Sequence, residues 1–161
     1  MIQKLFIIVS YFLVLSLYLY TPLRAQGVES VHWLTFEQLE DSLTLKPKKV
    51  FIDFYTDWCT YCRKMDKVVF TKPVVIEVLN NQYYAVRFDA ETATNVTFSG
   101  QTFINNQVGK SRSPIHQIAQ LLALKEGQFA PPTLVILDKT FKVTARYFEY
   151  MDSEKLLTAL E

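Results

Sequence analysis

Apolar residues recur every three or four positions in several parts of the chain, which is the spacing of an amphipathic helix. The first of these parts opens with a capping box, in which Thr35 is the N-cap and Gln38 lies three residues on. Another part starts at a pair of cysteines, and the last is capped by Asp152 or Ser153. We therefore predict helices over about 36–44, 59–70 and 73–79, and a final helix after Ser153.

Short runs of β-branched and aromatic residues lie between these helices and predict strands. The run 50–55 suits a buried central strand, although Asp53 interrupts it. Residues 138–140 make a turn, so the runs on either side of it should pair antiparallel. The predicted strands are 50–55, 84–88, 133–137 and 142–147. This order predicts an α/β fold, a mixed β-sheet with helices on both faces.

A polar segment, 91–130, interrupts this order and contains one amphipathic stretch. Ser113 is a good N-cap for a helix there, and Pro114 suits its first position. Ile118 and Leu122 follow at helical spacing. We expect a helical insertion of about 91–130 within a single domain.

The beginning of the chain has the pattern of a secretory signal peptide, assigned to residues 1–25. Lys4 precedes an apolar run over 5–20, and Ala25 offers a small residue for cleavage. The run is shorter than the roughly 20 residues that span a bilayer. We expect a mature domain of 26–161 and a periplasmic or secreted protein that is not held at a membrane. The alternative is an uncleaved N-terminal membrane anchor.

Composition and charge exclude several classes of protein. Of the 161 residues, 50% are hydrophobic, which supplies a core and rules out intrinsic disorder. The formal net charge is +1, and removing residues 1–25 takes away two basic residues and no acid, which leaves −1. Neither value suits a nucleic-acid binder. The four glycines are too dispersed for a nucleotide-binding loop. We expect no nucleic-acid partner, no cofactor and a monomer.

The two cysteines of the chain carry the candidate chemistry. Trp58-Cys59-Thr60-Tyr61-Cys62 follows a predicted strand and opens a predicted helix. Cys59 should therefore lie beside the free N–H groups and the positive end of the helix dipole, a position that favours a thiolate over a thiol. Cys62, three residues on, is within reach to attack a mixed disulfide. Cys59 is the candidate nucleophile and Cys62 the candidate resolving thiol.

Two other interpretations of the cysteine pair stay open. A structural disulfide would close so short a loop that it would stabilise the fold only weakly. A zinc site needs about four nitrogen or sulfur ligands, and the two histidines, His32 and His116, are far apart without paired spacing. We place His32 in an exposed lead-in and give His116 a packing or surface hydrogen-bonding role, so no metal site is expected.

Residues 51–63 resemble the active-site segment of the thioredoxin superfamily, and Pro132 with the run 133–137 resembles its cis-proline strand. The resemblance covers roughly 50–89 and 131–161. In detail the chain is similar to exported bacterial thioredoxin-like proteins that have a longer segment before the cis-proline. This resemblance implies a thioredoxin fold, a redox-active cysteine pair, protein thiols or disulfides as substrates and an unidentified redox partner.

The resemblance also implies roles for single residues. Asp53 becomes the buried acid that assists proton transfer at the resolving thiol, and its place in an apolar strand independently predicts a raised pKa. Trp58 would flank the sulfur as part of the docking surface, and Pro132 would be the cis residue facing the active site. Because a near-neutral charge gives little long-range steering, we expect partner choice to depend on the apolar surface around Trp58, Tyr61 and Pro131.

Four residues depart from the family pattern or leave it open. Thr60 and Tyr61 stand between the cysteines. They replace the Gly-Pro of thioredoxins or the Pro-His of strong periplasmic oxidases, so the redox potential of the pair does not follow from the family. Pro131 has no N–H to offer a substrate chain, unlike the residue usually found there. Arg87 occupies a place where thioredoxins often carry a Lys near the buried acid, and a solvated edge residue is equally consistent with the sequence.

These observations predict an exported thiol–disulfide oxidoreductase that uses Cys59 and Cys62. The dipeptide of strong oxidases is absent, which favours the reductase direction. Two alternatives belong to other classes of protein. One is a non-catalytic thioredoxin-fold binding module, in which Pro131 and the segment 91–130 form the partner surface. The other is a metallochaperone.

Overall fold

A computed structural model describes residues 30–161 of the chain, and these residues form nine strands and five helices. In chain order the elements are β1 (Trp33–Leu34), α1 (Phe36–Leu45), β2 (Lys49–Tyr55), α2 (Thr60–Val68), α3 (Pro73–Gln82), β3 (Tyr83–Asp89), β4 (Val96–Phe98), β5 (Gln101–Phe103), α4 (Gln117–Leu122), β6 (Leu124–Lys125), β7 (Gln128–Phe129), β8 (Thr133–Leu137), β9 (Val143–Tyr147) and α5 (Ser153–Leu160). The helices and strands predicted outside the segment 91–130 are confirmed, with bounds that differ by at most three residues.

The central sheet has five strands in the order β1-β3-β2-β8-β9. β2 pairs parallel with β3 on one side and antiparallel with β8 on the other, so the predicted mixed sheet is confirmed. β8 and β9 pair antiparallel across the predicted turn. In this register Asp53 lies between Arg87 of β3 and Leu134 of β8, which places an acid at the centre of the sheet.

Helices cover both faces of the sheet because successive side chains of a buried strand point to opposite sides. Phe51 of β2 packs in one cluster with Met65 of α2 and with residues of α3 and α5. Its neighbour Ile52 packs in a second cluster with residues of α1 and α4. By the same alternation Asp53 lies on the face of Phe51, which is the face that carries α2.

Local capping explains where two of the helices begin. The Thr35 side chain accepts a hydrogen bond from the Gln38 backbone N–H at 3.3 Å, and the Gln38 side chain accepts one from the Thr35 backbone N–H at 2.9 Å. This is the predicted capping box. At α5 the side chain of Asp152 accepts from the Lys155 backbone N–H at 2.9 Å, so Asp152 is the N-cap there.

The start of α4 differs from the prediction. The helix begins at Gln117 with His116 as its N-cap, whereas Ser113 and Pro114 lie outside it. A helix starting at Pro114 would pair the Pro114 carbonyl with the Ile118 N–H. Instead, the Pro114 carbonyl accepts a hydrogen bond from Asn105 Nδ2 at 2.9 Å, and the Ile118 N–H donates to His116 Nδ1 at 3.2 Å. A tertiary contact therefore replaces the first turn of the predicted helix.

The segment 91–130 also contains two hairpins that the sequence did not predict. β4 pairs with β5, and β6 pairs with β7, both antiparallel. Backbone N–H groups of the first hairpin donate to carboxylates of α1, from Thr97 to Glu37 at 3.2 Å and from Ser99 to Glu40 at 3.0 Å. The insertion thus consists of a short helix and two small hairpins, which pack on the face of the sheet that carries α1.

The predicted signal peptide, residues 1–25, lies outside the described residues. Within residues 30–161 no helix is long and apolar enough to cross a membrane.

Candidate redox site

Cys59 and Cys62 form a disulfide at the N-terminus of α2. Their sulfurs are 2.03 Å apart and their Cα atoms 5.3 Å apart. Cys59 is the N-cap of the helix, and its Sγ accepts a hydrogen bond from the Cys62 backbone N–H at 3.0 Å. Both cysteines are 3% exposed. Since an N–H that stabilises a sulfur acceptor stabilises a thiolate more, this position suits an anionic Cys59 after reduction.

Two aromatic side chains stand out beside the disulfide. Trp58 and Tyr61 are each more than half exposed, although most large apolar side chains of residues 30–161 are covered. The Trp58 indole Nε1 donates a hydrogen bond to Glu91 Oε2 at 3.0 Å. The Tyr61 ring lies 5.9 Å from the ring of Tyr150. Exposed aromatic rings held by such contacts offer a rigid apolar surface next to the sulfurs.

The peptide bond between Pro131 and Pro132 is cis, the geometry that the resemblance implies for Pro132. Pro132 is buried and Pro131 is partly exposed. Thr133, the next residue, pairs in register with Phe54 of β2. The two prolines therefore enter the sheet beside the strand that leads to the cysteines.

Asp53 is an acid in the core, with a side chain 2% exposed. Burial raises the pKa of Asp53 to about 7, the Arg87 guanidinium lowers it, and the Asp66 carboxylate raises it. Desolvation is the largest of these effects because a carboxylate loses its hydration in the core. Asp53 can thus exist in both protonation states near neutral pH, as expected for an acid in an apolar strand.

Arg87 links Asp53 to the helix of the cysteines. Its Nη2 donates to Asp66 Oδ2 at 2.6 Å, whereas its Nε is 3.6 Å from Asp53 Oδ2. The guanidinium also lies over the Tyr55 ring, 4.4 Å from the centroid. Arg87 is 27% exposed and paired with two acids, so it is not a solvated edge residue.

Sequence reasoning missed Asp66 and Glu91. Asp66 had a local signal, because it follows Cys62 by four residues and so lies on the same face of α2. Glu91 had none, since the contact between Trp58 and Glu91 joins residues 33 positions apart.

The two histidines lie in different surroundings. His32 is exposed, and the fully buried His116 caps α4 through Nδ1. Within the described part of the chain no group of three or more His, Cys, Asp or Glu side chains is placed to hold a metal ion.

A family model described as a thioredoxin-like domain matches residues 36–161. The chain belongs to this family. The matched residues include the cysteine pair, Asp53 and both prolines.

Curated relatives of this thioredoxin-like protein are similar over a short segment. It is 33% identical over 64 residues to the thiol:disulfide interchange protein DsbD of Pseudoalteromonas atlantica, which is 39% of this chain and 11% of the relative. It is 44% identical over 54 residues to the DsbD of Haemophilus ducreyi, which is 33% of this chain and 9% of the relative. The matches thus span about a tenth of the length of these relatives.

Solved structures share the fold. A DsbH oxidoreductase superposes with a TM-score of 0.56 at 16% identity, covering 88% of this chain and 89% of the other. A putative disulphide-isomerase from Bacteroides thetaiotaomicron superposes with a TM-score of 0.56 at 21% identity, covering 83% and 93%. A thioredoxin from Thermus thermophilus gives 0.57 at 18% identity, covering 81% and 85%. These likenesses establish a thioredoxin fold for the described residues.

Proposed function

We propose that this thioredoxin-like protein is an exported thiol–disulfide oxidoreductase that acts mainly as a reductase of protein disulfides. One observation carries the proposal: the Cys59–Cys62 disulfide lies at a helix N-terminus, with the Cys59 sulfur accepting a backbone N–H. The name of the curated relatives, thiol:disulfide interchange protein, supports the same class of reaction.

The reaction proceeds in two exchanges from the reduced form. The Cys59 thiolate attacks one sulfur of a substrate disulfide, forming a mixed disulfide and releasing the other substrate sulfur as a thiolate, which takes up a proton. Cys62 then loses its proton and attacks the Cys59 Sγ. The Cys59–Cys62 disulfide forms and the second substrate thiolate leaves. Two electrons have passed to the substrate, and a dithiol partner protein returns the pair to its reduced form.

Asp53 is the proton acceptor for Cys62 in this scheme. A pKa raised to about 7 lets its carboxylate accept a proton at neutral pH and return it when the exchange runs backwards. Its burial on the face of the sheet that carries α2 supports this role.

Trp58, Tyr61 and Pro131 supply the exposed groups of the proposed docking surface, and the buried Pro132 sets the cis peptide bond that orients Pro131. Exposed aromatic rings bind apolar substrate side chains, and they lose little conformational entropy on binding. Because Pro131 has no N–H, a substrate strand receives one backbone hydrogen bond fewer at this position. Recognition then depends more on side-chain contacts with the two aromatic residues.

Export rests on the signal-peptide pattern of residues 1–25. Processing after Ala25 would give a domain of 26–161 in the periplasm or outside the cell. We also propose that this domain acts as a monomer.

A trapping experiment tests the enzymatic proposal. A Cys62→Ala variant, expressed with its own N-terminus, should accumulate protein adducts through Cys59 that disappear on reduction. A matched Cys59→Ala variant should accumulate far fewer. Absence of adducts, together with no reduction of insulin disulfides by the wild-type dithiol, would leave a non-catalytic binding module as the better description.

The equilibrium redox potential of the pair tests the direction. Equilibration with glutathione should give a potential closer to the roughly −270 mV of thioredoxin than to the roughly −120 mV of a strong oxidase. A value near the oxidase end would contradict the reductase direction while leaving the exchange chemistry intact.

A further inference from the structure

The Arg87 guanidinium lies between two acids, Asp66 and Asp53, but forms a hydrogen bond with only one of them. Its Nη2 donates a short hydrogen bond to Asp66 Oδ2 at 2.6 Å. Its Nε lies 3.6 Å from Asp53 Oδ2 and makes no hydrogen bond. The guanidinium is thus bonded to the acid on α2 and only near the acid in the core.

We propose that Asp66 is a positioning residue, which holds the Arg87 guanidinium back from Asp53 so that Asp53 can take and return the proton of Cys62. This inference deepens the proposed function and rests on it for the role of Asp53. It gives a functional role to Asp66, which lies on α2 one turn after Cys62.

The geometry explains why Asp66 is needed. A charged guanidinium with an unused Nε–H beside a buried carboxylate gains a charge-assisted hydrogen bond by moving a few tenths of an ångström. Such a bond would hold Asp53 in its ionised form, since an Arg within hydrogen-bond distance stabilises a carboxylate. The Asp66 carboxylate opposes that movement because its own short bond directs the far end of the guanidinium towards α2.

Few other charged groups act on this arrangement. The Tyr55 ring packs against the guanidinium, and its hydroxyl is the further titratable group whose charge interacts with Asp53. The Trp33 ring lies on Arg87 at 5.9 Å and carries no charge. Among charged groups, Arg87 and Asp66 therefore have the main influence on the protonation of Asp53, and removing Asp66 acts on Asp53 partly through Arg87.

Asp66 is 28% exposed, so its substitution should leave the fold intact. The test is a carbon-13 NMR titration of the Asp side chains in the oxidised full-length protein, with the Asp53 signal assigned by its loss in Asp53→Asn. In Asp66→Asn the midpoint of Asp53 should fall by about one pH unit or more. Asp66→Glu should keep the wild-type midpoint within a few tenths of a unit. Glu77→Gln, which removes one exposed acid of α3, is the control for net charge and should not move it.

A double-mutant cycle separates positioning from simple charge repulsion. If Asp66 acts by holding Arg87, then in an Arg87→Gln background the Asp66→Asn change should shift the Asp53 midpoint by less than half as much. An equal shift in both backgrounds overturns the proposal, because Asp66 would then act through its own charge. An unchanged midpoint in Asp66→Asn overturns it as well. Should Asp66→Asn fail to fold, Asp66→Ser serves the same cycle.

This titration is independent of turnover, because it uses the oxidised protein. If the wild-type dithiol reduces no disulfide, the proposed function fails while the titration still decides the role of Asp66. Where exchange is active, the pH profile of the rate at which Cys62 resolves a Cys59 mixed disulfide should move to lower pH in Asp66→Asn, by the same amount as the Asp53 midpoint. The same rate in Asp66→Glu should follow the wild-type profile.

Discussion

The Trp58 indole Nε1 donates a hydrogen bond to Glu91 Oε2 at 3.0 Å, which joins the loop before the cysteines to the first residues of the insertion. Trp58 is 58% exposed, so packing alone does not fix its ring. The carboxylate of Glu91 therefore sets the orientation of the largest apolar group beside the disulfide.

Glu91→Ala should lower kcat/KM for reduction of a protein disulfide by about two- to tenfold, the range expected for one lost hydrogen bond of 0.5–1.5 kcal/mol. Glu91→Gln keeps an acceptor oxygen and should retain most of the activity. Insulin reduction measures the rate, and the indole N–H signal of Trp58 in a nitrogen-15 spectrum reports the contact. Equal activity in Glu91→Ala and the wild type would show that the tether has no part in docking.

Asp53 should make the oxidised protein less stable as the pH rises. Its pKa is about 7 in the fold and near 3.8 in the unfolded chain, so the folded state binds more protons between these values. Stability contributed by the protonated acid is therefore lost between about pH 4 and 7. Asp53→Asn should remove this slope and increase the free energy of unfolding at pH 8 by at most about 4 kcal/mol.

Urea unfolding of the oxidised protein from pH 4 to 9 checks this prediction. The difference between Asp53→Asn and the wild type should grow with pH and level off above pH 7. A difference that stays constant across the range would mean that Asp53 ionises as easily in the fold as in the unfolded chain.

His116 should contribute the opposite slope. It is fully buried, accepts the Ile118 N–H through Nδ1, and packs against the Phe88 ring. Burial lowers the pKa of His116, although the backbone carbonyls of Phe103 and Thr94 raise it. Below the pKa of about 6.5 that His116 has in the unfolded chain, the unfolded state binds a proton more readily than the folded state does. The free energy of unfolding therefore decreases as the pH falls through that value.

His116→Asn keeps a side chain that can cap α4 but removes the titrating ring. The variant should lose stability at pH 7.5 and show a smaller further loss at pH 5.5 than the wild type. His32→Asn changes the exposed histidine and, as the matched control, should leave the stability at pH 7.5 unchanged. An undiminished loss at pH 5.5 in His116→Asn would assign the acid sensitivity to other groups.

Thr35→Ala should destabilise the protein by about 1 kcal/mol, because the Gln38 N–H loses its side-chain acceptor at the start of α1. Thr44→Ala removes a hydroxyl near the other end of the same helix that donates only to the Glu40 carbonyl. It should change stability by less than about 0.5 kcal/mol. Urea unfolding at pH 7 compares the two, and equal losses would contradict a capping role for Thr35.

The segment 91–130 shows why its prediction was partly wrong. Apolar spacing correctly indicated a helix near Ile118, since periodicity reports which residues reach the core. The position of its first turn depended on Asn105, whose side-chain amide takes the Pro114 carbonyl from nine residues away. A helix-start pattern covers only a few consecutive residues, so it cannot predict a hydrogen bond between Asn105 and Pro114.

The sequence by itself determined the local elements, the cysteine pair at the start of α2 and the apolar setting of Asp53, because caps, periodicity and strand composition act over a few residues. Tertiary structure alone decided that Arg87 bonds to Asp66 and only approaches Asp53, and that Glu91 holds Trp58. These contacts join residues 21 to 34 positions apart. They exist because the parallel pairing of β2 with β3 brings Asp53 beside Arg87, while α2 packs over the same face of the sheet.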